Sequence, residues 1–217
     1  MKIKKIIDLS HEINDDMQVY PGDPKVSISD FLTHEKDGYN VSKLDFGMHT
    51  GTHINVPYHF KKNGSKITDI DINNFIGIGV LVDISYKKFH EEITILDIKD
   101  YIEDIKKSNF IIFKTGMDKY FNSNDYLSHP YLSIECASYI SKLSISIVAI
   151  DVLSVDKTLS DNYPVHDILL SNNILIVENL CNLSGVKKRI GLYSFLPLKI
   201  KNGDGSPIRA VFIDDFS

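Results

Sequence analysis

The sequence predicts a mixed α/β fold: a mixed-sheet core with flanking helices in a single domain spanning residues 1–217. Three observations carry this. The chain holds 31 Ile, a β-branched residue that favours strands. Short apolar runs bounded by Gly, Pro, Asn and Asp recur along its length. Helical periodicity enters only from mid-chain, so the pattern is not a simple βαβ series.

The strand expectations fall at 3–9, 26–31, 40–47, 79–84, 110–114, 145–150 and 174–177, with two more near 193–200 and 209–213. Ile98, Tyr101, Ile102 and Ile105 repeat at helical spacing, with Asp97 as their expected N-cap. A second helix is expected over 133–143, with Ile134, Ala137 and Ile140 on one face. A third is expected over 165–170, behind Pro164 at its start. Loops are punctuated by Tyr20-Pro21-Gly22-Asp23-Pro24 and Asn202-Gly203-Asp204-Gly205-Ser206-Pro207.

Composition excludes several functions. The net charge is -5, and no basic stripe is available to neutralise phosphates, so no nucleic-acid partner is expected. No apolar run reaches the roughly 18 residues of a membrane span, and the N-terminus lacks the apolar region of a signal peptide. A cytoplasmic location with no membrane partner is the expectation. Two Cys, Cys136 and Cys181, build neither a disulfide framework nor a thiolate zinc site and are expected to be buried thiols.

The informative segment runs from His49 to Phe60. His49, His53 and His59 are three of the chain's eight histidines and lie within eleven residues. Imidazole is a common metal ligand. Gly51 and Pro57 argue against a helix here. In an extended chain His53 and Asn55 point the same way, and His49 and His59 share their parity. Residue spacing leaves two readings open: a metal site, or ordinary surface and core histidines. His11, His34, His90 and His129 lack such company and take the ordinary reading.

His49-Thr50-Gly51-Thr52-His53-Ile54-Asn55-Val56-Pro57-Tyr58-His59 resembles the signature of the cyclase-like metal-dependent hydrolases, His-x-Gly-Thr-His-x-Asp-x-Pro-x-His. That family includes the bacterial kynurenine formamidases (arylformamidases) of tryptophan catabolism and their isatin hydrolase relatives. Further blocks agree in order: Asp8-Leu9-Ser10-His11, Tyr20-Pro21-Gly22-Asp23-Pro24, Lys114-Thr115-Gly116, Asp151 to Asp156, Pro164-Val165-His166, Val177-Glu178-Asn179 and Gly205-Ser206-Pro207.

The resemblance implies a swivelling β/β/α domain, and homodimers or larger assemblies in which residues 13–24 reach a neighbour. It implies a divalent metal, Zn²⁺ foremost and Mn²⁺ second, held by His49, His53, His166 and Glu178, with Asn55 at the family's Asp position. His59 becomes the acid/base residue. Because Asn offers one neutral oxygen where Asp offers two charged ones, one metal is expected rather than two. The family commonly has Trp at the position of Tyr20. This chain has no Trp, and Tyr20 is the expected substrate-binding residue, whereas Phe46 and Phe60 read as core aromatics.

The implied activity is hydrolysis of a small amide, an N-formylkynurenine-like formamide first and an isatin-like lactam or lactone second. A metal-binding but non-catalytic protein and a structural protein with surface histidines are the competing classes.

Overall fold

The computed structural model describes residues 3–216. Strands β1 (Ile3–Asp8), β2 (Ser27–Leu32), β3 (Val41–Asp45), β4 (His53–Asn55) and β5 (Ile76–Asp83) lead the chain, with a single turn α1 (His34–Asp37) between β2 and β3. Then follow β6 (Glu92–Ile93), helices α2 (Ile95–Ile98) and α3 (Ile102–Ile105), β7 (Phe110–Lys114), β8 (Tyr131–Leu132), α4 (Ile134–Ile140) and β9 (Ile147–Ile150). Helix α5 (Pro164–Ser171), β10 (Leu175–Glu178), β11 (Ile190–Ser194), β12 (Gly205–Pro207) and β13 (Val211–Phe216) complete it.

Nine strands form one mixed sheet in the order β1-β13-β11-β5-β7-β9-β10-β4-β12. The centre, β5-β7-β9-β10, is parallel, and every pairing outside it is antiparallel. Both faces of the centre are buried, which explains the unbroken apolar run Phe110-Ile111-Ile112-Phe113. Ile111 and Phe113 face one core with Val80, Val148 and residues of α2 to α5. Phe110 and Ile112 face the other, beside Ile54 of β4 and Tyr193 and Phe212 of β11 and β13. Strands from opposite ends of the order share that second core, so the sheet curls around it.

The strand expectations land on observed strands with shifted ends, and 110–114 matches β7. The strand expected at 193–200 is the exception in position: β11 ends at Ser194. Asp97 is not the N-cap of its helix. Thr94 is, and Asp97 accepts from the Thr94 backbone N–H at 2.6 Å from three residues on. The helix expected beyond it is two short turns with a 3₁₀ step at Lys99–Tyr101 between them. Ser133 does cap α4, accepting from the Cys136 N–H, and Pro164 does open α5. Both cysteines are free and buried.

Residues 13–24 pack on their own chain. Met17 is buried, the Gln18 N–H donates to Asn122 Oδ1, and Tyr20 bonds Tyr163. The β2–β3 hairpin exposes a group of apolar side chains, with Ile28 opposite Leu44 and with Phe31 and Val41.

Asp151, at the end of β9, ties the parallel strands together. Its carboxylate accepts from the Thr115 N–H (2.8 Å), the Thr115 hydroxyl (2.7 Å) and the Gly116 N–H (2.8 Å). Burial nevertheless pushes its pKa up to about 6, against the pull of those donors. The folded chain therefore holds this proton more tightly than the unfolded chain, whose Asp titrates near ~3.9. That contribution to stability is complete below about pH 4 and lost as pH rises through about 6. Thr115→Val removes a donor that serves the ionised form. Thermal unfolding should show a loss of about 1–3 kcal/mol at pH 8 and a smaller loss at pH 5; an equal loss at both would contradict the assignment.

Candidate metal centre

Strand β4 is three residues long, and its neighbours set the site. Glu178 of β10 lies opposite His53, and Gly205 of β12 lies opposite Asn55. Alternation puts His53 and Asn55 on one face and Ile54 on the other, in the core. His49 and His59 do not extend that face, contrary to the parity expectation. His49 lies in the loop before β4, and His59 closes a 3₁₀ turn over Pro57–His59. The His49 ring covers Gly205 so closely that a Cβ there would lie 2.7 Å from its Cε1. His166 arrives on the first turn of α5, buried rather than at the surface.

Glu178 is the centre of the cluster. Its Oε2 lies 3.3 Å from His53 Nε2, and its Oε1 lies 3.4 Å from His166 Nε2. The Val155 N–H donates to Oε1 at 2.8 Å and the Asn55 amide to Oε2 at 2.9 Å. Both imidazoles are held by their other nitrogen. His53 Nδ1 donates to the Gly51 carbonyl (2.8 Å) and His166 Nδ1 to Asp156 Oδ2 (2.7 Å). Each Nε2 is thereby left facing the carboxylate.

Further residues fix these partners. Asn179 donates to the same Gly51 carbonyl at 3.0 Å and accepts from the Tyr126 hydroxyl at 2.8 Å. Asp156 also accepts the Val165 and His166 N–H groups, anchoring the start of α5 as well as its histidine.

The electrostatics follow. Burial opposes charge on His166, but Glu178 and Asp156 outweigh it and push its pKa up to about 9. Burial likewise opposes charge on Glu178, and the His166 and His53 imidazoles outweigh it, holding the carboxyl well below its usual range. His59 goes the other way: burial, then His49 and His166, push it down to about 3. Asp204 accepts from His49 Nε2 at 3.0 Å, lies 3.7 Å from His59 Nδ1, and is lowered to about 2 chiefly by the His49 bond.

Tyr20, His49, His53, Asn55, His59, His166 and Glu178 all line one cavity of ≈ 210 Å³, together with Asp23, Phe60 and Tyr163. Phe60 is no simple core residue; its ring stacks on His166 at 4.9 Å and 15°.

The Cyclase family matches residues 7–157. Kynurenine formamidase from Bacillus anthracis is 32% identical over 213 residues, covering 97% of this chain and 98% of that protein. The chain belongs to the cyclase family. A predicted metal-dependent hydrolase from Bacillus stearothermophilus aligns with a TM-score of 0.82 at 26% identity, covering 97% of this chain and 98% of that one. Isatin hydrolase A from Labrenzia aggregata, at 22% identity, shares the fold with a TM-score of 0.87 over 96% of this chain and 93% of its own.

The donor set of this cyclase-family cavity fits a divalent cation. Two ligand atoms on a tetrahedral ion at ~2.05 Å stand about 3.3 Å apart, the spacing of each imidazole from the Glu178 carboxylate. His49 Nδ1 and Asn55 Oδ1 are buried without a hydrogen-bond partner, and each has a lone pair to offer. A second set overlaps the first: His49, His59 and Asp204 place ligand atoms within 4.8 Å of one another and could hold a metal ion.

Sequence reasoning missed Asp204, Asp156 and Tyr163. Asp204 was visible only as a loop residue between Gly203 and Gly205, and its partner His49 lies 155 positions away. Asp156 belongs to a matched block but carried no role. Removing its charge should loosen His166. Asp156→Asn should weaken Zn²⁺ binding by about 10–100-fold, read by competition with a chromophoric chelator; unchanged affinity would make Asp156 a helix anchor only.

Proposed function

We propose that this chain is a metal-dependent hydrolase of a small amide, with an N-formyl aryl amine such as N-formylkynurenine as its favoured substrate class. The observation that carries the reading is the pairing of His53 and His166 with one buried carboxylate in a cavity that also holds an uncommitted histidine and aromatic walls. The full-length likeness to kynurenine formamidases supports the choice of substrate.

His49, His53, His166, Glu178 and the Asn55 oxygen would hold the ion, Zn²⁺ first and Mn²⁺ second. Bound there, a divalent cation would lower the pKa of its water and polarise the amide carbonyl. The two donor sets share His49, and Asn55 has no charge with which to bridge two ions, so one metal per chain is favoured.

His59 is neutral above about pH 3, with a lone pair available. It would take the water's proton as the C–O bond forms and return it to the leaving amine as the C–N bond breaks. The positive charge held meanwhile is favoured by Asp204, 3.7 Å from Nδ1. Tyr20 and Phe60 offer faces for an aryl ring.

Residues 1–217 form one swivelling β/β/α domain in this reading. We place it in the cytoplasm, on the strength of its two free thiols; among the described residues no helix is long and apolar enough to cross a membrane. A homodimer or larger assembly is favoured, with residues 13–24 and the exposed β2–β3 hairpin as its contacts.

Zinc-loaded protein should hydrolyse N-formylkynurenine, and EDTA should abolish the turnover. His59→Ala should lower kcat by about 10²–10⁴-fold with the metal retained. Metal-loaded protein that cleaves isatin but no formamide would move the substrate to lactams, and loss of metal from the variant would make His59 a ligand.

A further inference from the structure

One residue past the buried carboxylate, the backbone of β10 leaves the extended region. Asn179 stands at φ 57, a left-handed conformation that Asn tolerates better than most residues with a side chain. It is buried, and its backbone is held at both ends. Its N–H donates to the Val152 carbonyl at 2.9 Å, and its carbonyl accepts from the Thr52 hydroxyl.

The side-chain amide can sit only one way round. Tyr126 is fully buried, and its hydroxyl donates to Asn179 Oδ1 at 2.8 Å. That leaves Nδ2 to the Gly51 carbonyl, at 3.0 Å. A reversed amide would set Oδ1 against that carbonyl, two acceptors with no proton between them.

The same carbonyl accepts from His53 Nδ1. Gly51 lies at φ 59, and glycine leaves such a conformation as readily as it enters it, so the direction of its carbonyl needs a hold from outside. Asn179 supplies that hold. With the carbonyl fixed, His53 Nδ1 is committed, and Nε2 is turned toward Glu178 at 3.3 Å.

Tyr126 is braced in turn. The Phe121 ring meets it edge-on at 5.4 Å and 85°, and Phe121 stacks on His11 at 3.8 Å and 16°. The His11 N–H donates to Thr52 Oγ1, which itself donates to Asn179. The contacts therefore close on themselves, and linked groups of this kind support one another.

We propose that Asn179 and Tyr126 are positioning residues for His53. Tyr126 sets the amide of Asn179, Asn179 sets the Gly51 carbonyl, and that carbonyl sets which nitrogen His53 presents to the cavity. The purpose assigned to this chain of bonds rests on the metal-centre reading; the orientation of His53 is tested without the ion.

The test uses two variants. Asn179→Gly keeps the left-handed backbone and removes the amide. Tyr126→Phe keeps the ring against Phe121 and removes only the hydroxyl. The first readout is solvent exchange of the His53 Nδ1–H, followed by nitrogen-resolved NMR of metal-free protein labelled at histidine. Exchange should be at least about tenfold faster in both variants. The second readout is Zn²⁺ affinity by chelator competition, which should fall about 10–100-fold in Asn179→Gly and by a smaller factor in Tyr126→Phe. Melting curves report folding, and if Asn179→Gly does not fold, Tyr126→Phe decides. Lower melting temperatures with either readout within about twofold of the parent would make the two residues structural only and overturn the proposal. A parent that binds no Zn²⁺ would count against the metal centre, and the exchange rates alone would then decide the positioning of His53.

Discussion

Everything in this site depends on burying one carboxylate. Glu178 is 3% exposed at the end of β10, where an unpaired charge would cost several kcal/mol. The fold answers with two imidazoles, a backbone N–H and an amide. They arrive from three places: His53 and Asn55 on β4, His166 on α5, Val155 in the loop after β9. The sheet order explains how they meet. β4 inserts antiparallel beside β10, so a motif from the first quarter of the chain lies against a strand from its last quarter. The parallel strand β9 on the other side delivers the loop that carries Val155 and Asp156.

Around that centre the imidazoles divide their labour by what holds their other nitrogen. A backbone carbonyl fixes His53 and a carboxylate fixes His166, so each turns a defined nitrogen inward. Asp204 holds His49 and leaves Nδ1 free. His59 has the weakest support, with its nearest carboxylate at 3.7 Å, and is the imidazole kept neutral by burial beside two others. That asymmetry is why three histidines suit the role of ligand and one suits proton transfer. Asn55 belongs to the same logic. Its amide donates to Glu178 as a carboxylate could not, spending one acceptor site of the central charge while leaving its own oxygen unpaired.

Much of this was legible in the chain, for definable reasons. Alternation along a strand placed His53 and Asn55 together, and apolar runs bounded by turn residues located the central strands. Ser133 and Pro164 announced their helices because capping is a local interaction. What stayed hidden depended on long-range pairing. Nothing near Asp204 in the sequence points to His49. Thr94 and Asp97 both suit a helix start, and only the capping-box geometry shows which residue is the cap. The burial of Met17 and the pairing of Tyr20 with Tyr163 likewise join distant parts of the chain, and the exposed β2–β3 hairpin had an ordinary strand pattern.

The central claim is that Glu178 and its two imidazoles bind a divalent cation. Zinc titration of metal-stripped protein, against a competing chelator and paired with Glu178→Gln, tests it most directly. The account predicts one tightly held Zn²⁺ per chain in the parent and at least about a hundredfold loss of affinity in the variant, which keeps an oxygen but loses the charge. Equal affinity in the two proteins would contradict it and move the metal to His49, His59 and Asp204.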